Sequence, residues 1–357
     1  MTPDSERIPR GPAPIGRRQL ILAGLVAAVA IAALYVLVPA IAGLEDTWRR
    51  LSAGDSIWLL AALVFEILSY LSYVALFHAV FLTGPMTIGW RVSYRITMAG
   101  VVASRVLALA GAGGIAVTAW ALRRVGLPGR DVAARLAAFF ILLYGVFMAG
   151  MLIGGLGLWS GLLAGPAPAA LTLAPAAFGA VVIVAVLVIA AVSKDLEEVL
   201  DHSPAASRSR RALAAAPATV SSGVGATISL LRSPRPGLLG GVGWFAFDIA
   251  VLWACLAAFG GAPPAAVVVM AYFIGLVANT LPVPGGIGAV EGGMIGALIA
   301  FGVDGGQAIV GVLGYRAFAF WLPIIPGAVA YLELLREPGR STPHGSTGAR
   351  DRRDELT

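Results

Sequence analysis

Apolar residues in this chain fall into long, nearly uncharged runs separated by short polar clusters. Six such runs stand out: Leu20 to about Ile41, Ile57–Leu82, Val132 to about Leu158, Leu171–Val192, Leu238–Gly260, and about Ala308 to Leu332. A helix rising about 1.5 Å per residue needs roughly 20 apolar residues to cross a hydrocarbon core about 30 Å thick. Each run meets that length, so the pattern predicts six full transmembrane helices. The first run has a competitor, because Ala40, Ile41 and Ala42 resemble a signal-peptide cleavage site. Its apolar stretch exceeds a typical signal-peptide core, so it is read as a span.

Two further apolar stretches cannot be plain helices. In one, a helix from about Ala265 to Leu281 meets Pro282, Val283, Pro284, Gly285, Gly286, Ile287 and Gly288, and a second helix runs from about Ile287 to Phe301. Each proline removes a backbone donor and clashes with the preceding turn. The glycines permit angles that other residues avoid. Glu291 falls in the first turn or two of the second helix. The other stretch, Arg91–Val125, carries Arg105 and then breaks across 110–117. Gly113, Gly114 and Ile115 align with Gly285, Gly286 and Ile287, and Gly126 aligns with Gly302, a weak internal repeat. In lipid, unwound backbone survives only where protein or water satisfies it, and paired broken helices near a carboxylate mark transporter sites. The Gly113–Gly114 pair also fits a second reading, close helix packing.

The arginines orient the chain. With the N-terminus in the cytoplasm, the polar segments 83–95, 123–135 and 194–237 and the tail are all cytoplasmic, and only Arg49 and Arg50 among the loop arginines fall outside. The two broken pairs then enter from opposite faces, which is an inverted-topology repeat. Residues 1–19 and 336–357 read as disordered cytoplasmic ends, 20–335 as the membrane domain, and 194–237 as a cytoplasmic loop. The composition agrees: 59% of the 357 residues are hydrophobic and 12% are charged. The fold class is therefore an all-α polytopic membrane protein, placed in the cell (inner) membrane. The net charge of +6 is mostly arginine and reports orientation and anionic lipid contact, not nucleic-acid binding. The single cysteine, Cys255, allows no internal disulfide. No phosphate-binding loop, Cys/His metal cluster or nucleophile elbow is present, so no cofactor or metal is implied.

Five ionisable residues converge on mid-depth. Glu66 lies nine residues past Ile57, Asp248 ten past Leu238 and Arg316 eight past Ala308, while Arg105 and Glu291 sit in the broken pairs. An unpaired charge there costs at least about 2.5 kcal/mol, so these groups should face one another or water. Glu66, Arg105 and Asp248 also fit buried pairs that hold helices in register. Glu291 lies beside unwound backbone and, together with Arg316, favours function. His78, near a helix end, reads as snorkelled or capped.

The run from Pro282 to Glu291, followed by Phe301 and Gly302 and then Tyr315 and Arg316, resembles the transmembrane domain of lysylphosphatidylglycerol synthases. That family includes stand-alone proteins with a flippase-like domain. Its first site usually carries a proline before the glycines, where this chain has Gly111 and Ala112. The resemblance implies movement of phospholipids or lipid-linked anionic headgroups between leaflets. It implies only Gly285, Gly286, Gly288, Glu291, Tyr315 and Arg316 as the substrate-contacting group; mid-depth charge and the glycine repeat, apart from the resemblance, add Glu66, Arg105, Gly113, Gly114 and Asp248 as supporting residues. Aminoacyl transfer in the full-length enzymes belongs to a separate cytosolic domain that these residues lack, so no synthase activity is expected of them. Two rivals stay open: a membrane-embedded enzyme or subunit with Glu291 as general base, and a non-catalytic scaffold for a partner enzyme.

Overall fold

The computed structural model describes residues 54–82, 88–106, 112–201, 208–233, 235–278 and 286–336. The expected first span, Leu20 to Ile41, and both chain ends lie outside the described residues, as do Pro282, Pro284 and Gly285. All regular structure among the described residues is helical. In chain order the α-helices are α1 (Ser56–Phe81), α2 (Trp90–Val106), α3 (Ala112–Arg124), α4 (Gly129–Trp159), α5 (Ala169–Asp201) and α6 (Arg208–Arg232). A short 3-10 turn then leads to α7 (Gly240–Ala258), α8 (Ala265–Val277), α9 (Ala289–Ala300), α10 (Gly305–Arg316) and α11 (Ile324–Arg336). Five stretches are long and apolar enough to cross a membrane: α1, α4, the first 24 residues of α5, the run Pro236–Ala258 and the run Gly305–Arg336. They coincide with the five expected spans that lie within the described residues. The protein is a multi-pass α-helical membrane protein.

Lipid tails supply no hydrophobic drive between helices, so contact depends on small residues that let backbones approach. The long helices α1 and α7 pack as an antiparallel pair. At one end the Asp55 amide donates to the Ala258 carbonyl at 3.0 Å. At the other, Gly240 presses on α1 so closely that a Cβ there would stand 2.2 Å from the Ser72 carbonyl oxygen. In the first interrupted pair, α2 and α3 fold against each other, and α11 lies along α2. His78, in the last turn of α1, has its Nδ1 3.1 Å from Ser93 Oγ and its ring edge-on to Trp90.

Two expectations are corrected. The first break does not extend over 112–117, because α3 already begins at Ala112 and Gly113, Gly114 and Ile115 are helical. Packing explains this: a Cβ on Gly114 would lie 2.6 Å from the Gly100 carbonyl of α2, so this glycine serves close helix contact. The segment 194–237 is not a loop either, since α5 continues to Asp201 and α6 occupies Arg208–Arg232. Its arginines make α6 look polar, but alanine is the strongest helix former and small residues let this helix pack on α4 and α5. Ser221 Oγ donates to the Ala190 carbonyl of α5 at 3.4 Å, and Leu230 joins the buried core.

Candidate functional site

In the second interrupted pair Gly286 and Gly288 behave as expected, while Pro282 and Pro284 lie outside the described residues. Helix α8 ends at Val277 and α9 begins at Ala289. Gly286 and Gly288 hold φ of +64° and +85°, left-handed values that other residues rarely adopt. Glu291 then sits in the first turn of α9. Its Oε2 accepts a hydrogen bond from the Gly288 amide at 2.7 Å, satisfying an orphan donor at the positive end of the helix. Its Oε1 accepts from Arg316 Nε at 2.6 Å. Both residues are buried, at 3% and 6% exposure. One carboxylate therefore caps α9 and aims the arginine that ends α10.

Beyond Arg316 the helix widens. Ala317–Trp321 form a π-helical turn, in which the Leu322 amide donates to the Ala317 carbonyl at 3.1 Å. Such turns cluster at functional sites because they displace backbone from the regular ladder. The α-helical donor for the Ala319 carbonyl would be the amide of residue 323, which is Pro323 and has none. Arg105, from the last turn of α2, supplies it. Its Nη2 donates to the Ala319 carbonyl at 2.7 Å and to the Tyr70 hydroxyl, and its Nη1 donates to the Phe320 carbonyl at 2.6 Å. The Phe320 ring is shared by two guanidinium groups, with Arg105 5.0 Å and Arg316 4.4 Å from its centroid.

Asp248, near mid-helix in α7, completes the polar group. Its Oδ2 accepts hydrogen bonds from the hydroxyls of Tyr272 at 2.5 Å and Tyr315 at 3.1 Å. These groups border a cavity of about 590 Å³ enclosed by both interrupted pairs together with α1, α4 and α7. Arg105, Asp248, Tyr315 and Arg316 form its charged and hydroxyl lining, Thr97, Ser104 and Thr118 add hydroxyls, and aromatic residues such as Phe139, Tyr144 and Phe147 form an apolar wall. The arrangement offers guanidinium and carboxylate groups beside an aromatic surface, which suits a charged headgroup joined to apolar chains.

The residues expected from sequence divide accordingly. Arg105, Gly114, Asp248, Gly286, Tyr315 and Arg316 all border the cavity. Glu291 stands behind Arg316 and does not line it, Gly288 caps α9, and Gly113 is buried within α3. Gly285 lies outside the described residues. Glu66 borders a separate apolar groove. Sequence reasoning missed Tyr272, Tyr70 and Phe320. A tyrosine in an otherwise apolar helix, as Tyr272 is, signals a buried hydroxyl that needs a partner. Phe320 gave no signal, since its position depends on the π turn.

The lysylphosphatidylglycerol synthase TM region matches residues 22–327, covering both interrupted pairs and every residue of the site. The chain belongs to that family. Among individual relatives, it is similar to a UPF0104 membrane protein of Methanothermobacter thermautotrophicus (strain Delta H), with 28% identity over 90 residues. That match covers 25% of this chain and 26% of the relative. The family is one of membrane proteins relating to lipid substrates.

Proposed function

We propose that the protein binds the headgroup of a phospholipid or lipid-linked anion in the cavity between its two interrupted helix pairs and passes it from one leaflet to the other. The observation that carries this reading is the cavity lining: Arg316 and Arg105 beside Asp248, within a membrane-embedded bundle, next to an aromatic wall. Arg316 holds the headgroup phosphate by charge-assisted hydrogen bonds, and its planar fork suits that oxyanion better than a lysine point charge. Glu291 positions Arg316. Asp248, held by two tyrosine hydroxyls, faces the cationic part of a zwitterionic headgroup. Acyl chains stay along the apolar side while the headgroup crosses. Both termini lie in the cytoplasm of a cell whose inner membrane holds the protein, and the two interrupted pairs approach from opposite faces.

The competing enzymatic reading needs Glu291 as a general base. Both of its oxygens are engaged, one by Arg316 and one by the Gly288 amide, and neither reaches the cavity. The test uses purified protein in liposomes carrying a headgroup-labelled fluorescent phospholipid, quenched from outside by an impermeant reductant. Wild type makes more than the outer-leaflet half of the label accessible, and Arg316→Lys does not. Equal accessibility in empty liposomes and in those holding folded wild type overturns the reading, and chemical conversion of the lipid would favour an enzyme.

A further inference from the structure

Glu66 is the one buried carboxylate of the described bundle that the site leaves unused. It sits near the middle of α1 and is 2% exposed. Neither of its carboxyl oxygens has a hydrogen-bond partner. Glu291 has an arginine and an amide, and Asp248 has two tyrosine hydroxyls. The side chain borders a second pocket of about 320 Å³, walled by Leu63 and Ile67 of α1, Met98 of α2, and Pro323 and Ile325 before and within α11. The rim residues Ile67 and Ile325 are 53% and 67% exposed, so in a bilayer this pocket opens to lipid tails, not to water.

An ionised carboxylate without partner or water is strongly disfavoured in such surroundings, whereas the neutral acid needs only modest solvation. Tyr70 and Tyr94 share the groove with Glu66, and the ionisable groups of the neighbouring helices near enough to feel its charge are Arg105 on α2, Asp248 and Cys255 on α7, Tyr272 on α8 and Tyr315 on α10. Arg105 is the cation among them, and its hydrogen bonds go to Tyr70 and to the Ala319 and Phe320 carbonyls. Tyr70 borders both the apolar groove and the main cavity, so it is the wall between Glu66 and the Arg105 cluster.

We propose that Glu66 is a reversible proton-binding site: it carries a proton in the arrangement described here, and on losing it becomes an anion whose available counter-charge is Arg105. Drawing Arg105 toward Glu66 would release the carbonyls of the π turn and so change the cavity lining. The ligand is the proton itself, and no other co-reactant is needed. The proposal is independent of which lipid, if any, the cavity moves.

The test is infrared spectroscopy of the full chain in lipid bilayers. The spectrum of wild type minus that of Glu66→Gln should show a carboxylic-acid C=O band at neutral pH. That band should give way to a carboxylate band in alkaline buffer while circular dichroism shows the helices intact. A carboxylate band already present at neutral pH overturns the proposal. So does an acid band that persists until the protein unfolds, since the group is then neutral but never releases its proton. Because Glu66→Gln could itself perturb packing, a second measurement uses wild type alone. A protonated carboxyl adds its O–H across a C=N bond of an apolar carbodiimide arriving from the lipid phase, giving an O-acylisourea that rearranges to a stable N-acylurea, and peptide mass spectrometry should find that adduct on Glu66, diminishing at alkaline pH. A pH-independent adduct yield on Glu66 counts against it as well.

Discussion

The Glu291–Arg316 pair gives the sharpest quantitative test of the site's construction. Glu291→Ala removes two acceptors at once, the one at 2.6 Å from Arg316 Nε and the one at 2.7 Å from the Gly288 amide. Both side chains are almost fully buried, so the arginine would keep its charge with its carboxylate partner gone. Breaking one partner of a buried ion pair costs about 3–5 kcal/mol, and losing a helix N-terminal cap costs about 1 kcal/mol. Replacing both residues, as in Glu291→Ala with Arg316→Met, removes the unbalanced charge. Its remaining deficit should approach the cap contribution of about 1 kcal/mol. The double variant should therefore be more stable than the sum of the single costs by about 6 kcal/mol or more, a coupling above the roughly 0.5–3 kcal/mol usual for residues in contact. The assay is detergent-driven unfolding of purified protein in mixed micelles, followed by circular dichroism, for wild type, both single variants and the double variant. Additive costs, with the double variant as unstable as the sum of the singles, would refute the argument that the pair is a coupled unit. Lipid movement supplies an independent readout. The double variant should be folded yet inactive, because Arg316 borders the cavity and the thioether that replaces its guanidinium cannot hold a phosphate.

Three further outcomes follow from other parts of the structure. Arg105→Met should cost about 1–3 kcal/mol for the Phe320 carbonyl it orphans and less for Ala319, whose carbonyl keeps the Tyr70 hydroxyl at 3.5 Å, and adding Pro323→Ala should recover part of the Ala319 loss by restoring an amide; no recovery in the same unfolding assay would show that the missing amide is not what Arg105 replaces. Gly275→Ala should destabilise by about 1–3 kcal/mol through overpacking. The new Cβ would stand 2.2 Å from Met294 Cγ and 3.0 Å from the Met294 backbone nitrogen, so α8 and α9 must separate, which unfolding midpoints would detect. A cysteine at Ser207, in a background lacking Cys255, should resist an impermeant thiol reagent in intact cells and react after lysis; labelling in intact cells would reverse the proposed orientation.

How far each part could be read in advance depends on the range of the physics behind it. The five spans within the described residues emerged from run length alone, because bilayer thickness sets a length that hydropathy reports directly. The second break was readable at its glycines, since Gly286 and Gly288 occupy left-handed backbone that other residues rarely adopt. The first break was drawn too far along the chain, over 112–117. Glycines mark either an unwound turn or a tight helix contact, and only the facing Gly100 carbonyl decides between them for Gly114. Helix α6 was missed because its arginines outweigh alanines in any hydropathy sum, while its stability comes from packing on α4 and α5.

For the site, the sequence by itself determined that charges lie at mid-depth and must be satisfied there, because burying an isolated charge in lipid is unfavourable for any fold. Which charge answers which is a tertiary matter. Glu291 and Arg316 are 25 residues apart and meet because α9 and α10 pack together. Asp248 takes its hydrogen bonds from tyrosines 24 and 67 residues away. Arg105 reaches carbonyls more than 200 residues along the chain, in a turn whose irregularity follows partly from Pro323. Glu66 looked the same as Asp248 in the sequence, and only the tertiary arrangement, in which α1, α2 and the start of α11 line one apolar groove, leaves it without a hydrogen-bond partner there. Periodicity and backbone chemistry are local and can be read residue by residue. The pairing of charges depends on distances between helices, which packing alone sets.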